Sequence, residues 1–503
     1  MRNRATACAS AQRRALRRPA AHRSGRLRIA WIGRERRDEE AGTCGARRPL
    51  TMNRFFDGIA LLVGLSVIPA IAGCSDEASE EERRFARLAK RAEQVRELSF
   101  RHAVPVVTIT RDEFEADQEA AAAAAEEDDL AEMAATYGRL GYFPLDADLR
   151  ETVARSGDWA AAWYSLESNG IVLIGEVDDS VLIHEYVHGL QDQHFDLAPD
   201  QDDALTSDAF LARRAVTEGD ATLAEGRFIM QERLDADLHL VDWGPLLSSV
   251  HARREELLAG SELPLLFMAY PSFAYSFGLE YCAHNLTGAS AATPVIDRLP
   301  PFDWSSEDAL FTTRAPTSTQ QILTLDAQDP EVGVGLDEMP SALDDRLERL
   351  NWDTLGEWLT YLLLRPLEGA PDLGDMRALA AAWDGDRALF LRDRKTDAIG
   401  TAWASAWDDA GAAAGVEAAL WRLYDGSPIA GDEPRLGRAG DGELLWIERR
   451  EERVVALKNV DEALMPSLAE AAFPSGIRPM RHMIRTRPSL AARLSRRLAG
   501  RHH

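Results

Sequence analysis

The stretch that decides the fold is Val181-Leu-Ile-His-Glu-Tyr-Val-His-Gly-Leu190, which carries two histidines four residues apart. An α-helix completes one turn in 3.6 residues, so His184 and His188 project from one face at adjacent turns. Both imidazoles can therefore bind one Zn²⁺ ion, at about 2.0–2.1 Å. Glu185 lies about 100° round the helix from His184, where it reaches a water on the metal but cannot be a ligand.

The residues around the two histidines are those of a helix packed in a core. The other positions from 181 to 190 are uncharged, and Asp178, Asp179 and Ser180 stand where an N-cap belongs. The alternative is an ordinary amphipathic helix that carries two histidines and a glutamate by chance. The uncharged surroundings favour the metal site.

A catalytic zinc needs a third protein ligand, and Glu218 is the candidate. It interrupts the apolar face of a predicted helix at 207–234, and a buried carboxylate is costly unless it is paired or bound to metal. We expect Gly219 to allow close approach to the metal helix. Asp220 is the nearest residue that could orient a ligand histidine through its free ring N–H. For Glu218 the alternative is an exposed helix glutamate. For His194, a role as a helix cap or as support for a ligand is favoured over ligation.

The pair His184-Glu-x-x-His188 with Glu218 resembles the gluzincin class of zinc metallopeptidases. Four stretches are similar to a family of bacterial and archaeal secreted lipoproteins classed as zinc metallopeptidases: residues 184–197, 218–221, 316–323 and 383–387. The resemblance implies one zinc per chain, Glu185 as general base, and a peptide or protein as substrate. It also implies a tyrosine or histidine as a further oxyanion donor, a role for which Tyr275, Tyr281 and His284 stay open.

This chain departs from those patterns at two places. Gluzincins often have an aspartate four residues after the third ligand, where this sequence has Thr222. The segment after residue 323 also differs from that of the lipoprotein family, so no role is carried over to it. Two other functions stay open: a zinc-stabilised envelope lipoprotein that binds peptides without cutting them, and a metal-free interaction module.

The N-terminal part indicates export and a membrane anchor. Residues 52–73 read as a signal peptide, and Ile71-Ala-Gly-Cys74 resembles the bacterial lipobox, which implies lipidation of Cys74. The alternative for the apolar run is a buried core helix. Residues 1–51 are then expected to be a mis-assigned upstream leader, or else an unusually long basic one. Ser75 slightly favours the outer membrane, facing the periplasm or exterior.

Charge excludes one class of partner. The net charge of −26 combines +10 in residues 1–51 with −36 in the remainder. A chain so acidic is not expected to bind nucleic acid. Four scattered cysteines also exclude a disulfide scaffold.

The order of predicted elements favours an α+β fold. We expect a tether with a short helix at 74–100, a zincin-like metallopeptidase domain at 101–300, an α+β part packed on it at 301–470, and a basic tail at 471–503. In the first domain, strands at 159–165 and 171–174 form a hairpin around Asn169-Gly170, the edge strand before the metal helix. In the second, 296–340 reads as an irregular connection and 343–364 as a helix.

Overall fold

The computed structural model describes residues 79–124, 127–155, 160–197, 206–287, 304–326, 345–370, 373–429 and 435–473. Their helices and strands form a mixed α+β fold, which confirms the predicted class. No helix in these ranges is both long and apolar enough to cross a bilayer. The predicted signal peptide, Cys74 and most of the basic tail lie outside the described residues.

Helices dominate the first part of the chain. Their bounds are α1 (Glu80–Arg96), α2 (Arg111–Ala124), α3 (Glu127–Met133), α4 (Leu149–Arg155), α5 (Asp179–Phe195), α6 (Ser207–Leu234), α7 (Trp243–Gly260), α8 (Leu265–Thr287), α9 (Ser305–Asp308) and α10 (Thr319–Thr324). Helix α6 packs along α8 and against α5, and α1 packs against α5. The predicted metal helix is therefore α5, enclosed by α1 and α6.

A three-stranded sheet stands before the metal helix. Its strands are β1 (Val106–Ile109), β2 (Ala162–Ser165) and β3 (Gly170–Ile174), in the order β1-β3-β2. The predicted hairpin is confirmed, because β2 and β3 pair antiparallel, whereas β1 pairs parallel to β3. The strand that leads directly into α5 is therefore central, and the edge position next to the helix belongs to β2. In the turn Asn169 has a φ of 50°, whereas Gly170 already belongs to β3.

The second half of the chain is built on an antiparallel sheet of seven strands in the order β4-β5-β6-β10-β9-β8-β7. These strands are β4 (Leu347–Asp353), β5 (Trp383–Asp393), β6 (Ile399–Trp407), β7 (Ser427–Pro428), β8 (Leu436–Arg438), β9 (Leu444–Arg450) and β10 (Arg453–Lys458). The accompanying helices are α11 (Gly356–Leu364), α12 (Met376–Ala380), α13 (Ala410–Leu423) and α14 (Met465–Ala472). Met465 and Leu468 of α14 belong to the same buried core cluster as Ala404 and Val455 of the sheet.

Two predictions in this half were wrong. Residues 343–364 were expected to be one helix, but β4 occupies 347–353 before α11 begins at Gly356. A register shift between Arg349 and Asn351 explains the error. The extra residue of this bulge separates the buried Leu347 and Leu350 by three positions, a spacing that imitates a helix. The predicted irregular connection at 296–340 contains the short helices α9 and α10.

The two halves of the fold meet at the beginning of α6, the helix that carries Glu218. The backbone N–H of Ser207 donates to Asp353 at the end of β4, over 2.8 Å. The next carboxylate, Asp208, accepts from the backbone N–H of Thr319 over 2.8 Å. Buried hydrogen bonds of this kind fix the position of a helix end. The C-terminal sheet thereby holds the N-terminus of the helix that supplies the predicted third ligand.

Candidate metal centre

Helices α5 and α6 bring the three predicted ligands together. Glu218 Oε2 lies 3.1 Å from His184 Nε2 and 3.3 Å from His188 Nε2, and all three side chains are buried. Four ligands in a tetrahedron at 2.0–2.1 Å from zinc are about 3.3 Å apart. In addition, the buried His188 Nε2 has no hydrogen bond. Both the spacing and this unpaired atom fit a bound metal ion.

Helix geometry explains why the histidines converge. Asp178 caps α5 by accepting from the backbone N–H of Ser180 over 3.0 Å, as expected for that position. One turn of helix then brings the two imidazole centroids within 4.7 Å of each other. The Glu218 side chain is fully enclosed, whereas each imidazole side chain keeps 6% of its surface exposed. Any contact of these ligands with solvent is therefore through the histidines.

Two side chains hold the Glu218 carboxylate by the oxygen that does not face the histidines. Arg214, one turn earlier on α6, places Nη2 2.5 Å from Oε1, and the Tyr270 hydroxyl donates to the same oxygen. Oε2 is thereby left for the metal. Burial alone would raise the pKa of Glu218, but His188 and Arg214 hold that pKa well below its usual range. The third ligand is therefore a carboxylate, the form that a metal needs.

Glu225 supports His184 and was missed in the sequence. Its Oε2 lies 3.4 Å from His184 Nδ1, so the ring nitrogen that faces away from Glu218 meets a second carboxylate. Burial would lower the pKa of His184, but Glu218 and Glu225 raise it to about 10. Glu225 follows Glu218 by seven residues, which is two helical turns on the same face. The seven-residue spacing could have been recognised in the sequence, although gluzincins suggest that the partner of a ligand histidine stands at the position held by Thr222.

His188 is supported by Gln191, which sequence reasoning also missed. Gln191 Oε1 lies 2.8 Å from His188 Nδ1, and Gln191 Nε2 donates to Asp220 Oδ2 over 2.6 Å. Asp220 was expected to meet a ligand histidine directly. Instead, Asp220 contacts Gln191, and Gln191 in turn contacts His188. The Asp220 side chain does not reach His188 itself, because it projects from a different side of α6 than the Glu218 side chain.

Glu185, the predicted general base, is buried beside the ligands. The main-chain N–H of Tyr164 in the edge strand β2 lies near its carboxylate and acts to lower its pKa. Its Oε2 has no hydrogen-bond partner. Burial raises the pKa of Glu185, against the opposing effect of His188 and His184. The arrangement leaves one buried carboxylate oxygen ready to accept a proton from a water at the metal position.

Tyr275 is the one of the three open donor candidates that lies next to the ligands. Its ring stacks on His184 with centroids 6.0 Å apart, and its buried hydroxyl has no hydrogen bond. Burial, with Glu218 and Glu185 nearby, raises the pKa of Tyr275 well above its usual value. The hydroxyl is therefore protonated and is a donor. Tyr281 and His284 follow Tyr275 on α8 by six and nine residues, so they lie roughly 9 Å or more further along the helix axis.

His194 lies away from the ligands. Its Nε2 contacts the main-chain oxygen of Ser99 over 2.8 Å at the surface, in the last turn of α5. This contact joins the end of α5 to the segment that follows α1, 95 positions away, so His194 is not the helix cap that was expected.

Comparison with known proteins assigns no activity to this chain. Residues 345–468, which contain the seven-stranded sheet, match the model of a domain of unknown function, DUF8575. That match covers about a quarter of the chain and does not include the metal ligands. No curated protein and no solved structure matches the chain. The chemistry of the candidate site is therefore argued from its geometry.

Proposed function

We propose that this chain is a zinc metallopeptidase that hydrolyses peptide bonds with Glu185 as the general base. One observation supports the proposal above the others. His184 Nε2, His188 Nε2 and Glu218 Oε2 converge within the ligand spacing of a zinc ion, and the unpaired Oε2 of Glu185 lies in the same buried cluster. Two imidazoles and one carboxylate are a donor set of catalytic zinc, which retains an open fourth position.

The side chains around the ligands supply the acid–base chemistry. When bound, zinc would lower the pKa of a coordinated water towards 7 and polarise the carbonyl group to be cleaved. Glu185 accepts the proton of the attacking water and afterwards delivers it to the leaving amine. The raised pKa of Glu185 suits both steps, since a base that is too weakly basic would not hold the proton long enough to return it. Tyr275 is placed to donate to the carbonyl oxygen as negative charge develops on it.

The edge strand β2 provides a place for an extended peptide. Among the described residues β2 has a strand partner on one side only, and all four of its residues are buried. The N–H of Tyr164 on this strand lies near the Glu185 carboxylate, so a peptide paired with β2 would run beside the base. Pairing through main-chain groups recognises peptides with little dependence on their side chains.

The burial of the ligands favours a second candidate, a zinc-stabilised protein that binds peptides without cleaving them. In this second candidate zinc would join α5 to α6 as a structural cross-link. For either candidate, the lipobox supports a lipid anchor at Cys74 and a place in the bacterial cell envelope, which labelling with a radioactive fatty acid would test.

The two candidates are separated by the variant Glu185→Gln. In the metallopeptidase, this variant keeps about one zinc per chain but loses cleavage of a broad peptide library, because the amide cannot accept a proton. His188→Ala loses both zinc and cleavage. His251→Ala is the matched control, since His251 pairs with Glu280 over 2.8 Å outside the site and should keep both properties.

Two outcomes would count against catalysis by Glu185. Cleavage by Glu185→Gln at the wild-type rate would exclude Glu185 as the base. One zinc per wild-type chain without hydrolysis of any library peptide would favour the structural role.

A further inference from the structure

The last residue of α1, Arg96, is fully buried and lies behind the metal helix. Its Nε lies 2.9 and 3.0 Å from the two carboxylate oxygens of Asp220, and its Nη2 lies 2.7 Å from Asp308. The guanidinium group also stacks 4.4 Å from the ring centre of Trp304. An arginine held at this many points is a fixed cation. It is the ion-pair partner of Asp220 in an enclosed position where a lone carboxylate would be unfavourable.

Asp220 determines which way the Gln191 amide points. One end of that amide lies 2.6 Å from Asp220 Oδ2 and 3.0 Å from the main-chain oxygen of Thr217. A carboxylate and a carbonyl group are both acceptors, so this end of the amide has to be the NH₂ group. The amide oxygen is consequently the end that faces His188.

The orientation of Gln191 in turn determines the tautomer of His188. An amide oxygen only accepts, so His188 Nδ1, 2.8 Å away, has to carry the proton. The lone pair of the neutral imidazole is then on Nε2, the atom beside Glu218 Oε2. A flipped amide would place its NH₂ group against Nδ1 and move the proton to Nε2, which blocks metal binding.

We propose that Arg96, Asp220 and Gln191 are positioning residues that set the tautomer of His188 for metal binding. The hydrogen-bond chain runs from the end of α1 through α6 to α5, so the helix nearest the predicted membrane anchor supports the metal centre. The proposal rests on the metal centre of the proposed function but does not depend on hydrolysis.

Exchanging the donor and the acceptor between positions 191 and 220 of the full-length protein tests this inference. Zinc affinity is measured by competition against a chelator. Asp220→Asn allows the Gln191 amide to flip, because an amide at position 220 can donate as well as accept. Gln191→Glu places a second carboxylate beside that of Asp220, and the two repel each other. Each single variant should bind zinc about 10- to 100-fold more weakly, the usual effect of losing such a partner. In the double variant, the carboxylate introduced at position 191 accepts from His188 Nδ1–H and from the amide introduced at position 220. The double variant should therefore bind zinc more tightly than either single variant.

Glu232→Gln is the matched control, because Glu232 also joins α6 to an arginine of α1, Arg91, but lies outside the path to His188. It should bind zinc as the wild type does. Unfolding of each metal-free variant is measured alongside, so that a loss of affinity is not confused with a loss of fold. If Asp220→Asn does not fold, Gln191→Met, which removes the acceptor but keeps the side-chain length, should show the same loss.

The outcomes distinguish this inference from the metal centre itself. Wild-type affinity in Asp220→Asn, or a double variant weaker than both singles, overturns the positioning role and leaves the metal centre intact. A wild-type chain that binds no zinc overturns both.

Discussion

Gly219 and Gly278 lie against each other where α6 crosses α8. A Cβ atom added to Gly219 would stand 2.3 Å from the carbonyl carbon and oxygen of Gly278, and one added to Gly278 would stand 2.0 Å from the oxygen of Ala215. Both distances are far inside van der Waals contact, so the two backbones touch. The sequence predicted a close approach at Gly219 towards the metal helix, but the structure shows it towards α8.

We therefore expect Gly219→Ala to force the two helices apart. Overpacking of this kind lowers the free energy of unfolding by about 1–3 kcal/mol, and here the obstacle is backbone that cannot rotate away. Because Glu218 is the adjacent residue, zinc affinity should fall as well. Gly226→Ala on the same helix is the control, since its Cβ would meet only Leu238 at 3.7 Å. Urea unfolding of both variants measures the difference, and equal stability would show that the contact is not tight.

Removal of the partner of His184 should weaken the metal site without destroying it. In Glu225→Ala, His184 Nδ1 loses the carboxylate that lies 3.4 Å away, and zinc affinity should fall by about tenfold or more. Glu225→Gln retains an amide oxygen that accepts from Nδ1–H, so its loss should be smaller. Glu232→Ala, two turns further along α6 and paired with Arg91, should leave affinity unchanged. Chelator competition measures all three, and an unaltered Glu225→Ala would remove Glu225 from the support of the metal.

Tyr275→Phe tests the oxyanion donor of the proposed peptidase. The ring and its stacking on His184 are kept, and only the unpaired hydroxyl is lost. Loss of one such donor lowers kcat by about 10²- to 10³-fold, whereas zinc content should not change. Tyr270→Phe makes a useful contrast, because its hydroxyl holds Glu218 and its loss should lower zinc affinity instead. A kcat of the wild-type size in Tyr275→Phe would assign the donor elsewhere.

A buried carboxyl group far from solvent gives the fold a pH dependence. Burial, together with nearby Asp220, raises the pKa of Glu307 from 4.5 to about 8. Since the pKa is higher in the folded state, Glu307 stabilises the fold fully below about pH 4.5, and this contribution is lost as the pH rises through about 8. Its loss costs on the order of a few kcal/mol at high pH.

Glu307→Gln should therefore unfold at a higher denaturant concentration than the wild type at pH 9, and the advantage should shrink towards pH 5. The amide oxygen can still accept from Asn285, which donates to Glu307 over 2.7 Å. Glu262→Gln, at a side chain 79% exposed, is the control and should follow the wild type at every pH. Parallel stability curves for Glu307→Gln and the wild type would contradict the raised pKa.

Much of the candidate site was predictable, because its signals are local. The spacing of His184 and His188, the N-cap at Asp178 and the hairpin before α5 all follow from residues close together in the chain, and the structure has each of them. Glu218 was predicted because it interrupts an apolar face. The strand β4 was not predicted, because the bulge within it gave its apolar residues a helical spacing.

The sequence by itself therefore determined which two histidines one helix presents together, since helical geometry fixes which side chains share a face. Only the tertiary structure decided what supports them: Arg214 and Tyr270 on Glu218, Glu225 on His184, and Gln191 with Asp220 and Arg96 behind His188. Most of these contacts join different helices, with partners as far as 124 positions apart in the chain, and depend on how far one helix is rotated against another. The pairings between helices arise from the packing of whole helices, which no local spacing encodes, whereas Arg214 and Gln191 each lie about one turn from the residue they contact.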